Sequence, residues 1–151
     1  MGRSRLVVRF DGPVDGRLRS EVARFARWLR RWYTFETPLT IRLVHASSIA
    51  DYGGRQVWLR WWHSYEPGEP ITGEIAVESF ARNLEDYGPT VAYPTVLAAM
   101  ARIAKHYFQT LNCSPARVDY AERWASKVLD AYFDGASPPP PWRGARLSDV
   151  D

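Results

Sequence analysis

The sequence predicts an α+β domain in which a small sheet, mostly antiparallel or mixed, packs on helices in the order β-α-β-β-β-α-α. Three observations carry this. Leu39-Thr-Ile-Arg-Leu-Val-His45 alternates apolar and polar residues and is rich in β-branched side chains, as a half-buried strand requires. Leu18, Val22, Phe25, Ala26, Leu29 and Trp32 recur at three- and four-residue spacing, which is one face of a helix. Residues 93–111 are apolar almost all round, the signature of a helix buried in the middle of a domain. Alternating strands beside helices of this length fit a layered α+β sandwich.

Each element follows from its own signals. Leu6-Val-Val-Arg-Phe10 reads as a first strand, closed by the turn set Asp11-Gly12-Pro13. The first helix spans about 15–33, with Arg17, Arg24, Arg27 and Arg31 on the side opposite its apolar stripe. Pro38 ends any helix before the alternating strand. A turn at Asp51-Tyr-Gly-Gly54 precedes a third strand, Arg55 to Trp62, whose two faces are both partly apolar. Gly73-Glu-Ile-Ala-Val-Glu78 reads as a fourth strand and 79–87 as a helical turn before Gly88-Pro89. The buried helix is expected from Tyr93 or Pro94 to Leu111, with proline in its first turn, where a missing N–H costs nothing. Ser114-Pro115 makes an N-cap and first-turn pair for a last helix ending near Phe133, with Gly135 as its stop. One domain is therefore expected over 1–135, followed by a Pro-rich, flexible tail over 136–151 that contains the polyproline segment Pro138–Pro141.

Composition bounds the function. A chain of 151 residues, 46% hydrophobic and 25% charged, suits a single soluble globular domain. No apolar run approaches the roughly 18 residues that cross a bilayer, and charge at the N-terminus is followed by no apolar segment of a secretory signal. Cytoplasmic residence without membrane association is expected. The single cysteine, Cys113, excludes an internal disulfide and any Cys-rich zinc site. Charge is unevenly spread. Residues 1–33 hold nine arginines against Asp11, Asp15 and Glu21, a net of +6. The remainder holds eleven basic and fourteen acidic residues, a net of −3. Such a split suits either an anionic partner near Arg24, Arg27 and Arg31 or a plain solvated helix face.

The buried helix carries the most informative motif. It contains Val96-Leu-Ala-Ala-Met-Ala, then four residues, then His106-Tyr-Phe-Gln109. Upstream lies Gly73-Glu-Ile-Ala-Val-Glu78, and downstream Tyr120-Ala-Glu122-Arg-Trp-Ala125. Over about residues 70–133 these segments resemble small bacterial zincin-like metallopeptidases of the gluzincin type, and the N-terminal half is similar to them in element order. Such helices carry His-Glu-x-x-His: two histidines one turn apart bind Zn²⁺ and the glutamate is the general base. The resemblance implies a minimal zincin-like fold, with His106 at the second histidine and Glu122 at the third ligand. It puts Arg102 at the first histidine and Ile103 at the general base. A guanidinium donates no lone pair and isoleucine takes no proton from water, so the motif is degenerate. His106 and Glu122 are two ligands where catalytic zinc takes three from protein. The resemblance therefore implies a vestigial site in which the Arg102 guanidinium forms a bidentate pair with Glu122 in the space of the metal.

Plainer readings stand beside this one. His106 on an apolar helix is also what a hydrogen-bonded core histidine looks like, Glu122 reads equally as a surface carboxylate, and Asp119 is an equally placed acid. His45, His63 and His106 match no ligand spacing. Cys113 lies two turns beyond His106, roughly 10 Å along the axis, too far for a nucleophile and its base. The sequence has no P-loop, no Gly-x-Gly-x-x-Gly and no nucleophile elbow. Trp58, Arg60, Trp61 and Trp62 crowd one strand with residue types favoured at interfaces, or with core aromatics rimmed by arginine. The expected function is a catalytically inactive, zincin-like pseudo-metallopeptidase without a cofactor, binding a protein, a peptide or its own copy. One alternative is a metal-dependent hydrolase whose zinc is held by a non-standard set drawn from His106, Glu122, Asp119, His63 and His45. Another is a small basic protein that contacts nucleic acid through arginine and tryptophan.

Overall fold

In the computed structural model, which describes residues 5–51, 53–63, 69–112 and 118–147, with the backbone alone at His63, Val118 and Asp119, four helices accompany two sheets. Strand β1 (Leu6–Asp11) leads into helix α1 (Gly16–Trp32) and then strand β2 (Leu39–Val44), which lies parallel to β1. Asp15 caps α1: its carboxylate accepts the Leu18 N–H at 2.9 Å, one of the donors a helix start leaves unpaired. The helix buries Leu18, Val22, Phe25, Ala26 and Leu29, the stripe its spacing announces.

The segment expected as one strand from Arg55 to Trp62 is two. Strand β4 (Gln56–Val57) folds back on β3 (Ile49–Ala50) as a small hairpin, while β5 (Leu59–His63) pairs with β6 (Ile71–Ala76). The hairpin turn is held by Asp51, whose carboxylate accepts the N–H groups of Gly53 and Arg55, each at 2.9 Å. Trp58 stands at the break because its neighbours on either side answer to different sheets. The four-stranded sheet runs β1-β2-β6-β5 and is mixed: β1, β2 and β6 are parallel and β5 is the antiparallel edge. Of the two sheet types the sequence left open, the mixed one is found, because helix α1 carries the chain back between β1 and β2.

Helix α2 (Phe80–Tyr87) and helix α3 (Pro89–Leu111) meet at Gly88, whose φ of +82° only glycine adopts without strain. The buried helix thus begins four or five residues earlier than expected. Pro89 takes its first position, and Pro94 is absorbed inside the second turn. Helix α4 (Val118–Asp134) ends before Gly135 at φ +68°. The expected cap at Ser114-Pro115 lies outside the described residues. Among the described residues, no helix is long and apolar enough to cross a membrane.

The two faces of the main sheet are treated oppositely. Leu39, Ile41, Leu43, Ile71 and Ile75 are buried under the helices. At the centre of that interface Ile103 of α3 fills the space over Gly73 of β6. A Cβ on Gly73 would lie 2.5 Å from Ile103 Cγ2 and 2.7 Å from its Cδ1. The outer face carries a charge ladder in which Arg42, Glu74 and Arg60 are in register across three strands. Glu74 on β6 is buried (7% side-chain exposure) and accepts from Arg42 Nη1 on β2 at 2.8 Å and from Arg60 Nε on β5 at 2.7 Å. Arg42 also pairs with Asp11 on β1, and Arg60 donates to the Ala50 carbonyl at 2.7 Å. Two charge-assisted partners satisfy a carboxylate that burial would otherwise penalise.

Beyond α4, where the sequence suggests a flexible tail, residues 136–147 lie along the helices. Successive carbonyls accept three bonds: Pro139 from Tyr33 Oη at 2.6 Å, Pro140 from Trp124 Nε1 at 2.9 Å and Pro141 from Lys105 Nζ at 2.7 Å. A polyproline segment makes no internal hydrogen bonds, so its carbonyls are free for this. Trp142 then packs on Phe108, with ring centroids 6.1 Å apart.

The Gly73–Ile103 contact yields a direct prediction. Gly73→Ala is expected to lower stability by about 1–3 kcal/mol through overpacking. In an Ile103→Ala background the same change is expected to cost much less. Urea denaturation of the two single variants and the double variant measures the coupling, and additive losses would contradict the contact.

Candidate functional site

With Ile103 facing the sheet, Arg102 and His106 share the next face of α3, directed toward β5 and α4. His106 is 3% exposed. Its ring stacks on Trp61 of β5 at 5.2 Å between centroids and 11° between planes, and its Nδ1 lies 2.9 Å from Gln109 Oε1. An amide oxygen only accepts, so Nδ1 carries the proton and donates, and Nε2 keeps its lone pair. Burial pushes the His106 pKa below the ordinary value, the Gln109 hydrogen bond opposes this, and the Arg102 charge lowers it further. The imidazole is therefore neutral at neutral pH.

Arg102 reaches toward α4. Its Nη2 is 3.7 Å from Glu122 Oε1, and its Cζ is 6.0 Å from the Trp58 ring centroid. Arg102 thus contacts Glu122, and its charge reaches His106 one turn along the same helix face. The pairing is a single ion contact rather than the bidentate fork expected, since 3.7 Å exceeds a hydrogen-bond length. With Glu122 58% exposed, water screens the contact, which contributes about 1 kcal/mol or less. Arg102 Nε is buried with no hydrogen-bond partner among the described residues. Ile103 points away from this group, into the core against Gly73.

Among the described residues the donor set around Arg102 falls short of the three protein ligands of a catalytic zinc site. Arg102 supplies no lone pair, leaving His106 and Glu122, and among the described residues no three His, Cys, Asp or Glu side chains come together as a metal site. His45 follows β2 on the surface, its Cβ against Gly12. The side chains of His63 and Asp119, and all of Cys113, lie outside the described residues.

The partner-binding candidates divide among three places. Trp61 belongs to the helix side of β5, under His106. Trp62 lies on the outer face with the Arg60 guanidinium 4.5 Å from its ring centroid, and that guanidinium is already held by Glu74 and Ala50. Trp58, 40% exposed, is at the strand break. Arg24, Arg27 and Arg31 are exposed on α1, which packs beside β1 at the far edge of the sheet. Arg24 pairs loosely with Glu21 at 3.9 Å. Sequence reasoning missed the Glu74 ladder, whose members lie on four strands. It also missed a groove between α3, α4 and the C-terminal segment, lined by Lys105, Arg123, Lys127 and Arg143. The only local signal for that groove was the helical spacing of Tyr120, Arg123, Trp124 and Lys127.

The His106 environment makes a pH prediction. Its folded pKa is below the unfolded value of 6.5, so unfolding takes up a proton when the pH falls below that value. Its contribution to stability is complete above the ordinary pKa and is lost as pH falls toward the folded one. Urea midpoints at about pH 7.5 and about pH 5 are expected to drop less for His106→Phe than for the wild type. An equal drop would contradict a buried neutral imidazole.

The chain matches no protein-family model, and no curated protein and no solved structure is similar to it at a significant level.

Proposed function

We propose that this chain is a catalytically silent zincin-like domain that binds an extended segment of a partner protein along the edge of β5. The observation that carries the reading is the contact of Arg102 with Glu122, on the helix face that also bears His106, which sets a permanent cation beside two groups able to ligate a metal. The order of elements supports it: a strand, a backing helix, a sheet with one antiparallel edge strand, a buried helix bearing the frame and a helix bearing the acid. An edge strand offers main-chain N–H and C=O groups to a peptide that adds itself to the sheet. Trp58, 40% exposed just before that edge, gives a side chain of the added peptide something to pack on. No hydrolytic step is assigned to these residues, because neither Arg102 nor Ile103 activates water.

Two measurements test the reading. Peptides selected from a random library of about ten residues, enough to cover a typical strand, are expected to shift the backbone amide resonances of Leu59–Trp62. Shifts confined to other elements, or no selected binder, would count against peptide addition at β5. Separately, Arg102→His is expected to create zinc binding that the wild type lacks, and Glu122→Ala in that background is expected to abolish it. No gain would mean that residues 102, 106 and 122 do not meet in a geometry descended from a metal site.

A further inference from the structure

The groove between α3, α4 and the C-terminal segment has an unbalanced chemistry. It has a volume of about 650 Å³, within the size range of small-ligand sites, and among the described residues no aspartate or glutamate lines it. Its charged lining is Lys105 from α3, Arg123 and Lys127 from α4, and Arg143 from the C-terminal segment. Four cations from three segments face one concavity in a chain whose net charge is only +3. Lys105 is committed to the fold, donating to Pro141 and lying 5.4 Å from the Trp124 ring centroid. Arg123 lies over the Tyr120 ring at 4.8 Å. Lys127 and Arg143 are exposed and, among the described residues, have no ion-pair or hydrogen-bond partner. Like charges gathered in a concavity raise the local concentration of anions there.

The groove also has aromatic walls. Trp142 is half-buried, backed on one side by Phe108, and Tyr120 is 45% exposed. A multiply charged anion joined to a flat ring satisfies both features. An acidic peptide would leave the aromatic walls unused. A duplex needs cations spread along a surface rather than gathered in one hollow.

We propose that this groove binds a nucleotide, its base against Trp142 and Tyr120 and its phosphate held by Lys127 and Arg143, with Arg123 adding to the positive field. The nucleotide is either free or the phosphorylated end of a single strand, since the two present the same chemistry.

Calorimetric titration of the whole chain tests this with adenosine monophosphate, adenosine, inorganic phosphate and a 5′-phosphorylated pentaadenylate. Adenosine monophosphate or the pentaadenylate is expected to bind more tightly than both adenosine and phosphate, and to weaken as salt rises from about 50 to about 200 mM. Lys127→Glu combined with Arg143→Glu is expected to lose at least about tenfold in affinity, because two phosphate contacts turn repulsive. The same charge change at Arg55→Glu with Arg82→Glu, on exposed residues away from the groove, is expected to cost far less. A pentaadenylate at least about tenfold tighter than the monophosphate would assign the strand end, and equal affinities would assign the free nucleotide. Three results would overturn the proposal: no binding of either nucleotide probe, phosphate binding as well as both nucleotide probes, or equal losses in the two double variants.

Discussion

The contact between Ile103 and Gly73 fixes the rest of the arrangement. Helix α3 is apolar nearly all round, so burial alone does not choose which side meets the sheet. The missing side chain at Gly73 does. It leaves a hollow that only a close-packed residue fills, and Ile103 enters it at a distance no Cβ would tolerate. Once that residue is seated, the 100° turn per residue places Arg102 and His106 on the flank facing β5 and α4. The contact of Arg102 with Glu122 follows from this one choice of register. So does the fate of the position the resemblance assigns to a general base, which becomes part of the core.

Arginine is used in two contrasting ways. On the outer face Arg42 and Arg60 clamp Glu74 from both sides at hydrogen-bond distance, and the strands they sit on are tied together by it. Each guanidinium there has two acceptors, and each oxygen of the Glu74 carboxylate has a charged donor. At Arg102 the partner is farther away and mostly in water, and one buried nitrogen has no acceptor among the described residues. A site optimised only for stability would not leave a buried donor so poorly served. That imperfect fit is what an inherited pocket filled by a substituted residue would look like, which is why we read it as a vestige.

The fold was legible wherever one physical pattern ruled a segment. The stripe on α1 and the alternation of β2 each answer to a single buried face, so periodicity sufficed. The start of α3 was misjudged because two prolines, Pro89 and Pro94, both suit a first turn, and nothing local says that the second is absorbed. The break at Trp58 was hidden because it reflects two separate strand partners, a long-range fact. Within the site, the approach of Arg102 to Glu122 was readable from helical spacing plus the resemblance, and the stacking of Trp61 on His106 was not. The basic groove was invisible for the same reason as the Glu74 ladder: its members come from separate segments that only the tertiary structure brings together.

A silent site differs from an active one in whether it holds a metal, and that is measurable without knowing the partner. Zinc per chain, counted in wild-type protein produced with added zinc and then dialysed exhaustively, bears on this most directly. A guanidinium beside His106 and Glu122 predicts that essentially none remains. One zinc per chain that survives dialysis, and is lost in His106→Ala or Glu122→Ala, would contradict it.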